Sequence, residues 1–436
     1  MTPLRRPAAG TSPQPPNYKW LVVAMLWMVC FFNYADRQAI FAVFPLLKSQ
    51  LHLTDVELGV AGSSFMWMYA ICGPVAGWLC DRLPRTTLLF GGLIFWSLAT
   101  ACTALSRNYS ELVLFRALGG LGEAFYFPAS MSLISDYHAV DTRSRAMSIH
   151  QSSVYIGSIA GGTLSGLVGQ RTNDWRPAFV LFGALGIVLG CVLWTLLREP
   201  ARGMSDNFVM TGRHRERSVA GLLKDVLGSR LPLLLIAVFI GANFVAVIFL
   251  AWMPSFLYRK FHLGLAMAGL SGTVYLSLAS LLGVLCGGAL ADGLVKRQIR
   301  LGRSPKGIRM LTQSLGLLCG VPFLFLAGSS ITMATVIVAM IGFGFFKGLY
   351  DANIFASLYD VVPIERRGAA AGMMNSFGWI GGGAAPVAIA VASVHYGMSA
   401  CISATAAIYL FFGALLFWNA SSLIERKPPS IEAAPR

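Results

Sequence analysis

Gly77-Trp78-Leu79-Cys80-Asp81-Arg82-Leu83-Pro84-Arg85 closes one long apolar run of the chain, and Gly288-Ala289-Leu290-Ala291-Asp292 closes another, with Lys296 and Arg297 just beyond. Asp81 and Asp292 stand 211 positions apart. A second pair of loops recurs at nearly the same spacing. Asp141-Thr142-Arg143-Ser144-Arg145-Ala146 follows the fourth apolar run, and Glu365-Arg366-Arg367-Gly368-Ala369 follows the tenth. The chain therefore reads as two similar halves in the same order.

What lies between these loops is greasy. Of the 436 residues, 56% are hydrophobic and only 12% are charged, against roughly 25% charged in soluble domains. A helix needs about 20 mostly apolar residues to cross a bilayer core. Twelve runs qualify: 19–46, 57–79, 86–106, 109–137, 146–170, 177–197, 231–258, 265–291, 307–328, 331–360, 367–394 and 399–421. The sequence thus predicts an all-α integral membrane fold with 12 transmembrane helices in two six-helix pseudo-repeats. The parts are a disordered, Pro-rich tail over 1–18, a six-helix bundle over 19–197, a basic linker over 198–230, a second bundle over 231–421 and a tail over 422–436.

Charge placement fixes the expected topology. Of the 34 Lys and Arg, 25 fall in the tails and every second loop, 6 in the alternate loops, and Arg37, Arg116 and Lys347 inside runs. Cytoplasmic loops carry the excess of Lys and Arg, so both termini are expected in the cytoplasm, in a multi-pass protein of the cell's inner (plasma) membrane. The net charge of +15 is then a topology signal and implies no nucleic acid partner.

Other chemistries leave no trace. The eight cysteines lie within apolar stretches without a CxxC pair and read as small buried hydrophobes. No GxxxxGK[ST] or HExxH occurs, and the six histidines are scattered, so no cofactor, metal or enzyme activity is expected.

The loop Gly77 to Arg85, GxxxDRxxR, resembles the signature between helices 2 and 3 of the major facilitator superfamily, and Gly288 to Arg297 is a weaker copy. The stretch Asn33-Tyr34-Ala35-Asp36-Arg37-Gln38 is similar to NYxDR of spinster-like transporters, as are Gly120-Leu121-Gly122-Glu123-Ala124, Leu133 to Tyr137, Arg143 to Ile149 and Arg198 to Gly203. The anion:cation symporter family shares NYxDR and GxGEA and places Phe-Pro after the latter, as Phe127-Pro128 stands here; Asn375-Ser376-Phe377-Gly378 also looks like that family. The resemblance implies a monomeric secondary transporter with its substrate near the midplane between the halves. In both groups the matching Asp, Arg and Glu are implicated in coupling and substrate binding.

Ionisable side chains inside the bilayer cost ~2.5–3.5 kcal/mol each on insertion scales and usually mark function. Six lie well inside runs: Asp36, Arg37, Arg116, Glu123, Lys347 and Asp351. Asp36 lies about 25 Å along the first run and Glu123 about 21 Å along the fourth, at 1.5 Å per residue. Arg116 and Glu123, two turns apart, share a face. Adjacent Asp36 and Arg37 point differently, one toward a cavity and one toward run 4. Burial and a nearby arginine act in opposite senses on a carboxyl's proton. Asp36 and Glu123 are therefore the expected proton carriers, with Arg37 and Arg116 holding them charged or releasing them to bind substrate. A permanent salt-bridge network that only fixes packing is the competing account.

Lys347 and Asp351, four apart on one face, form either a cationic substrate anchor with its neutraliser or a plain intrahelical pair. Tyr126, Asn353 and Asn375 complete the expected substrate-binding set, while Tyr34, Tyr69, Tyr155, Gln151 and Asn243 line the cavity or bond between helices. Trp67, Trp252 and Trp379 pack or sit at interfaces. Asp81, Arg82, Arg85, Arg145 and Asp292 are the expected gating residues. The composite expectation is a proton-coupled transporter of an organic anion, such as a sugar acid or another carboxylate, working by alternating access. Its partners are protons, the lipid bilayer and a small anionic or amphiphilic substrate. The rival within transport is a spinster-like carrier of a lysophospholipid or sphingoid phosphate, and a non-transporting receptor is the remote alternative.

Overall fold

The computed structural model describes residues 17–202, 204–205, 228–301, 307–362 and 367–425. Residues 1–16 and 426–436 of the expected tails and most of the linker fall outside this set, while 422–425, expected as tail, continue the last helix. Among the described residues the chain is helical, with no strand. The first half holds α1 (Tyr18–Ala42), α2 (Phe44–Gln50), α3 (Asp55–Cys80), α4 (Arg85–Thr103), α5 (Tyr109–Glu123), α6 (Tyr126–Tyr137), α7 (Val140–Thr172) and α8 (Arg176–Leu196). The second holds α9 (Arg230–Phe261), α10 (Leu265–Arg300), α11 (Ile308–Ser329), α12 (Met333–Asp351), α13 (Ile354–Val361), α14 (Arg367–Tyr396) and α15 (Met398–Glu425).

Ten of the expected spans are long and apolar enough to cross a bilayer on composition alone. The α5–α6 pair and α7 make the other two. Tyr109 of α5 starts beside Glu57, whereas Tyr137 at the end of α6 donates to the Arg198 carbonyl at the opposite end of the bundle. His138, just before α7, contacts the Lys19 carbonyl, and Asn173 at its far end accepts from Gln50. Both segments therefore traverse the protein, giving two sets of six.

Three expected runs are broken. Run 1 divides at Val43 because Pro45 has no N–H and its ring crowds the carbonyl four residues back. Run 4 breaks after Glu123, where Pro128 acts in the same way on Ala124. Run 10 breaks after Asp351, where the Asn353 side chain bonds the Leu349 carbonyl that the next helical turn would use. In the two halves, corresponding helices thus end on an acid. Pro254 likewise frees the Leu250 carbonyl inside α9, and Gln38 of α1 takes it at 2.7 Å across the two halves.

Within the first half α1 packs along α7, α3 on α5 and α4 on α8; within the second α10 packs on α12 and α11 on α15. The halves meet through α3 against α14 and α7 against α10. That contact is one-sided. Away from the chain ends, Phe44 and Trp252 stand 5.2 Å apart within a core shared by both halves. Arg259 pairs with Asp55, and Gln170 accepts from the Ala266 amide. Toward the chain ends the contact fades. A side chain at Gly73 of α3 would still touch Ser376 of α14, but one turn on, Gly77 and Gly372 each face empty space, as does Gly288 of α10. The halves form a wedge, shut on the far face and open on the face that carries Tyr18 and Glu425.

Candidate functional site

At the apex of the wedge, four of the six intramembrane charges form one cluster. Arg37 of α1 donates from Nη2 to Glu123 Oε2 of α5 at 2.8 Å, and Arg116 of α5 lies 3.7 Å from Asp36. Thr100 of α4 donates to Asp36. Both adjacent residues of α1 therefore meet α5, in contrast to the expectation that one would turn to a cavity. Each of the four is at most 6% exposed. Close helix approach makes this possible. A Cβ at Gly120 would strike the Phe65 carbonyl of α3, and one at Gly161 of α7 would strike the Ala35 backbone.

Aromatic faces complete the enclosure. The Arg37 guanidinium lies 4.9 Å from the ring centroids of Tyr34, Phe65 and Tyr69 and 4.8 Å from that of Trp379. Phe65 serves two cations, since Arg116 also lies 4.9 Å from its ring. Such contacts attract a desolvated cation by about 2 kcal/mol. Trp379 comes from α14, so the second half touches the charge cluster of the first. Tyr69 meets the Trp379 ring edge-on with centroids 5.7 Å apart, and Asn375 stands one turn before Trp379 on α14. Five buried polar atoms of the cluster lack a hydrogen-bond partner among the described residues: Glu123 Oε1, Asp36 Oδ1, Arg37 Nε, Arg116 Nε and Asn33 Nδ2. Leaving such an atom unbonded costs about 1–3 kcal/mol. The cluster is stable in charge and short of hydrogen bonds, which suits it to exchange partners.

The second charged pair stands apart. Lys347 and Asp351 of α12 bond each other, with side chains 17% and 29% exposed, and the Tyr155 hydroxyl of α7 lies near Asp351 from the other half. Two expected ligands are elsewhere occupied. Tyr126 is buried, donating to the Leu26 carbonyl at 2.8 Å and meeting His150, while Asn353 donates to the Gly287 carbonyl. Both pack helices in this state and do not line the wedge.

The expected gating residues lie at the open face, and the contacts below join them to described residues of their own halves. Asp81 ends α3 as its C-cap. Arg82 stacks on Trp78 and Arg145 on Trp20. Arg85, 1% exposed, bonds Asp136, Ser132 and Glu199. Asp292 pairs with Arg309, which also takes Asp360. Partial burial would raise the pKa of Glu199, but bonds from the Thr86 amide and Arg85 outweigh it and hold the carboxyl below the usual range.

Sequence reading missed the closed face. Asp55 there accepts two bonds from Arg259 of α9, at 2.8 and 2.9 Å, and one from Lys48 at 2.7 Å. The one local signal was the capping box Thr54–Glu57, which sets Asp55 at the start of α3. Phe65 and Thr100 carried no signal, because a phenylalanine or threonine in an apolar run has no distinguishing pattern.

The sequence model of the Major Facilitator Superfamily matches residues 26–346. A probable galactarate/D-glucarate transporter of Escherichia coli strain K12 is 26% identical over 412 residues, covering 88% of each chain. Homo sapiens protein spinster homolog 1 is 31% identical over 82% of this chain and 69% of its own, and a D-galactonate transporter of Escherichia coli is 24% identical over 93% and 96%. The crystal structure of a bacterial homolog of spinster, inward-facing and unoccupied, superposes with TM-score 0.79 at 20% identity, over 96% of this chain and all of that one.

Proposed function

Because the chain belongs to the Major Facilitator Superfamily, and is a multi-pass membrane transporter rather than an enzyme, we propose that it couples protons to the movement of a small organic anion, a sugar acid or similar carboxylate, by alternating access. One observation carries this reading: the buried Arg37–Glu123 pair at the wedge apex, with an unpartnered atom on each member. A substrate carboxylate that takes Arg37 displaces Glu123. The freed carboxylate would then be a buried unpaired charge, at a cost of about 3–5 kcal/mol. A proton on Glu123 removes that cost, so anion and proton bind together. Asp36, held by Arg116 and Thr100, is the second carboxyl of the same cluster.

Lys347 and Asp351 repeat the arrangement on the other side. Asp351 neutralises Lys347 when the site is empty, and a second acidic or polar end of the cargo takes Lys347. Asn375, one turn from Trp379 beside Arg37, is the polar contact from α14. The chain-end face is the cytoplasmic one, by the Lys and Arg bias, in an inner (plasma) membrane, and the carrier works as a monomer. Arg82, Arg85, Arg145, Asp81 and Asp292 form cross-half contacts when this face closes. The likeness to spinster homolog 1 favours a second cargo class, a lysophospholipid or sphingoid phosphate, whose acidic head would use the same Arg37.

The test is uptake into proteoliposomes under an imposed pH gradient, with labelled D-glucarate, galactarate and D-galactonate in one arm and lysophosphatidylcholine and sphingosine phosphate in the other. Accumulation of a sugar acid that collapses with the gradient, and that Glu123→Gln and Asp36→Asn uncouple, is the expected result. Accumulation independent of pH, or of the lipids alone, overturns the sugar-acid reading. Unchanged apparent affinity in Lys347→Ala removes the second anchor.

A further inference from the structure

Below the charge cluster, toward the open face, lies a string of protic groups, buried at Cys30, Tyr126 and His150 and half-buried at Tyr34. Cys30, Tyr34 and Arg37 stand at i, i+4 and i+7 on one face of α1, a descent of about 10 Å. Arg37 holds Glu123 at the top. The Tyr34 ring lies 4.9 Å from the Arg37 guanidinium and packs against the cluster that holds Cys30 and Tyr126. Cys30 and Tyr126 pack in one buried cluster, and Ser153 donates to the His150 carbonyl beside it. Tyr126, three residues past Glu123 and beyond the helix break, contacts His150 of α7. His150 is fully buried, and its Nδ1 has no partner. The residues on either side of it, Ile149 and Gln151, are exposed.

The bonding fixes the tautomer. The Leu26 carbonyl can only accept, so the Tyr126 O–H is directed to it at 2.8 Å. The Tyr126 oxygen then accepts from His150, which places hydrogen on Nε2 and leaves Nδ1 bare. Among the described residues no carboxylate contacts the ring. The titratable groups facing it from neighbouring helices are Tyr126 of α6 and, through it, Cys30 of α1. A neutral, uncompensated, buried histidine with an open acceptor is a costly packing element. It is a suitable relay.

We infer that His150 and Tyr126 form the proton path between the open-face water and Glu123, meeting the substrate's site only at Tyr34 beside Arg37. This rests on the proton-coupled reading above. A proton enters at Nδ1 as the Nε2 proton passes to the Tyr126 oxygen. The Tyr126 hydroxyl then turns its own proton from the Leu26 carbonyl to the Cys30 sulfur, Cys30 gives its proton to the Tyr34 oxygen, and Tyr34 gives its own to Glu123. The reverse sequence returns one proton to the open-face water, and no charge remains on the string.

Two assays on the same proteoliposomes separate a path from a packing role. Net uptake of the accumulated sugar acid under a pH gradient requires proton release in every cycle. Counterflow of labelled against unlabelled sugar acid does not, because the loaded, protonated carrier simply shuttles. His150→Gln, His150→Phe and Tyr126→Phe should each lower net uptake tenfold or more while counterflow stays within twofold. The net rate should also lose its wild-type dependence on pH. Equal loss of both rates, or net uptake at the wild-type level, overturns the inference. Should the histidine variants fail to fold, Tyr126→Phe decides by the same ratio. Wild-type protein without gradient-driven uptake would instead sink the coupling reading itself, a result distinguishable from failure of the relay.

Discussion

The clasp on the closed face sets a measurable part of the conformational balance. Arg259 of α9 grips Asp55 of α3 with two bonds, at 2.8 and 2.9 Å, and Lys48 adds a third at 2.7 Å. Only the arginine bonds span the halves, so only they break when this face opens. The Asp55 side chain is 20% exposed and that of Arg259 is 37% exposed. An exposed pair contributes 0.2–1 kcal/mol, the upper end belonging to bidentate arginine, and so about 1 kcal/mol is the fitting magnitude. Asp55→Asn or Arg259→Gln should therefore raise the population open on this face about fivefold relative to the wedge seen here. Electron–electron distance measurements between spin labels at Arg171→Cys and Met267→Cys, on a background without native cysteines, would show the longer distance gaining weight. Both label sites are exposed and lie on opposite halves. The double variant should shift no further than either single one, because both remove one interaction. High salt should weaken the wild-type clasp and leave the variants unmoved. An unchanged distance distribution in both single variants, or additive shifts in the double, would refute the clasp.

Phe65→Leu removes the ring shared by Arg37 and Arg116 and opens space in a fully buried position. Loss of two cation–π contacts and a partial cavity together should destabilise the protein by about 2–4 kcal/mol, read as a lower Tm in detergent; a Tm within 2 °C of wild type would rule out the shared-ring account. Glu199 links Arg85 to the Thr86 amide with its carboxyl pKa held below the ordinary value. Its folded-state pKa is depressed, so its contribution is complete above the unfolded value, about 4.5, and is lost as pH falls through the folded one. The Tm of Glu199→Gln should thus lie below wild type at neutral pH and converge with it in acid; a constant gap across that range would contradict the assignment.

Much of this was readable before any coordinates. A bilayer demands runs of about 20 apolar residues with satisfied backbones, and that demand writes itself plainly into sequence. The repeat around Asp81 and Asp292 then paired the halves. The span α7 shows where composition stops, since its run of Ser, Tyr, Gln and His fails an apolar-length criterion because one of its faces serves the interior. The identity of the charged residues at the site was also legible, for charge in an apolar run has few explanations. Their pairing was not. Helical spacing says that Asp36 and Arg37 diverge, but both meet α5, because the long arginine side chains of Arg37 and Arg116 each reach across to the other helix's carboxylate. The Asp55–Arg259 clasp was invisible for another reason: it joins residues from separate halves and depends on which face is shut.

The helix breaks join these levels. Glu123 ends α5 and Asp351 ends α12, in corresponding places of the two halves. The C-terminal end of a helix carries partial negative charge, so a carboxylate there is repelled by its own backbone and depends on a neighbouring cation. Each has one, Arg37 from α1 for Glu123 and Lys347 from its own helix for Asp351. The two arrangements differ in what their partner can do. Lys347 rides on the same helix as its acid and stays with it through any rigid movement of the halves. Arg37 reaches Glu123 from another helix and also touches Trp379 of the other half. Rocking of α14 must therefore alter the surroundings of Arg37 while leaving the Lys347–Asp351 pair intact, which places the conformational sensitivity of the site on the first pair.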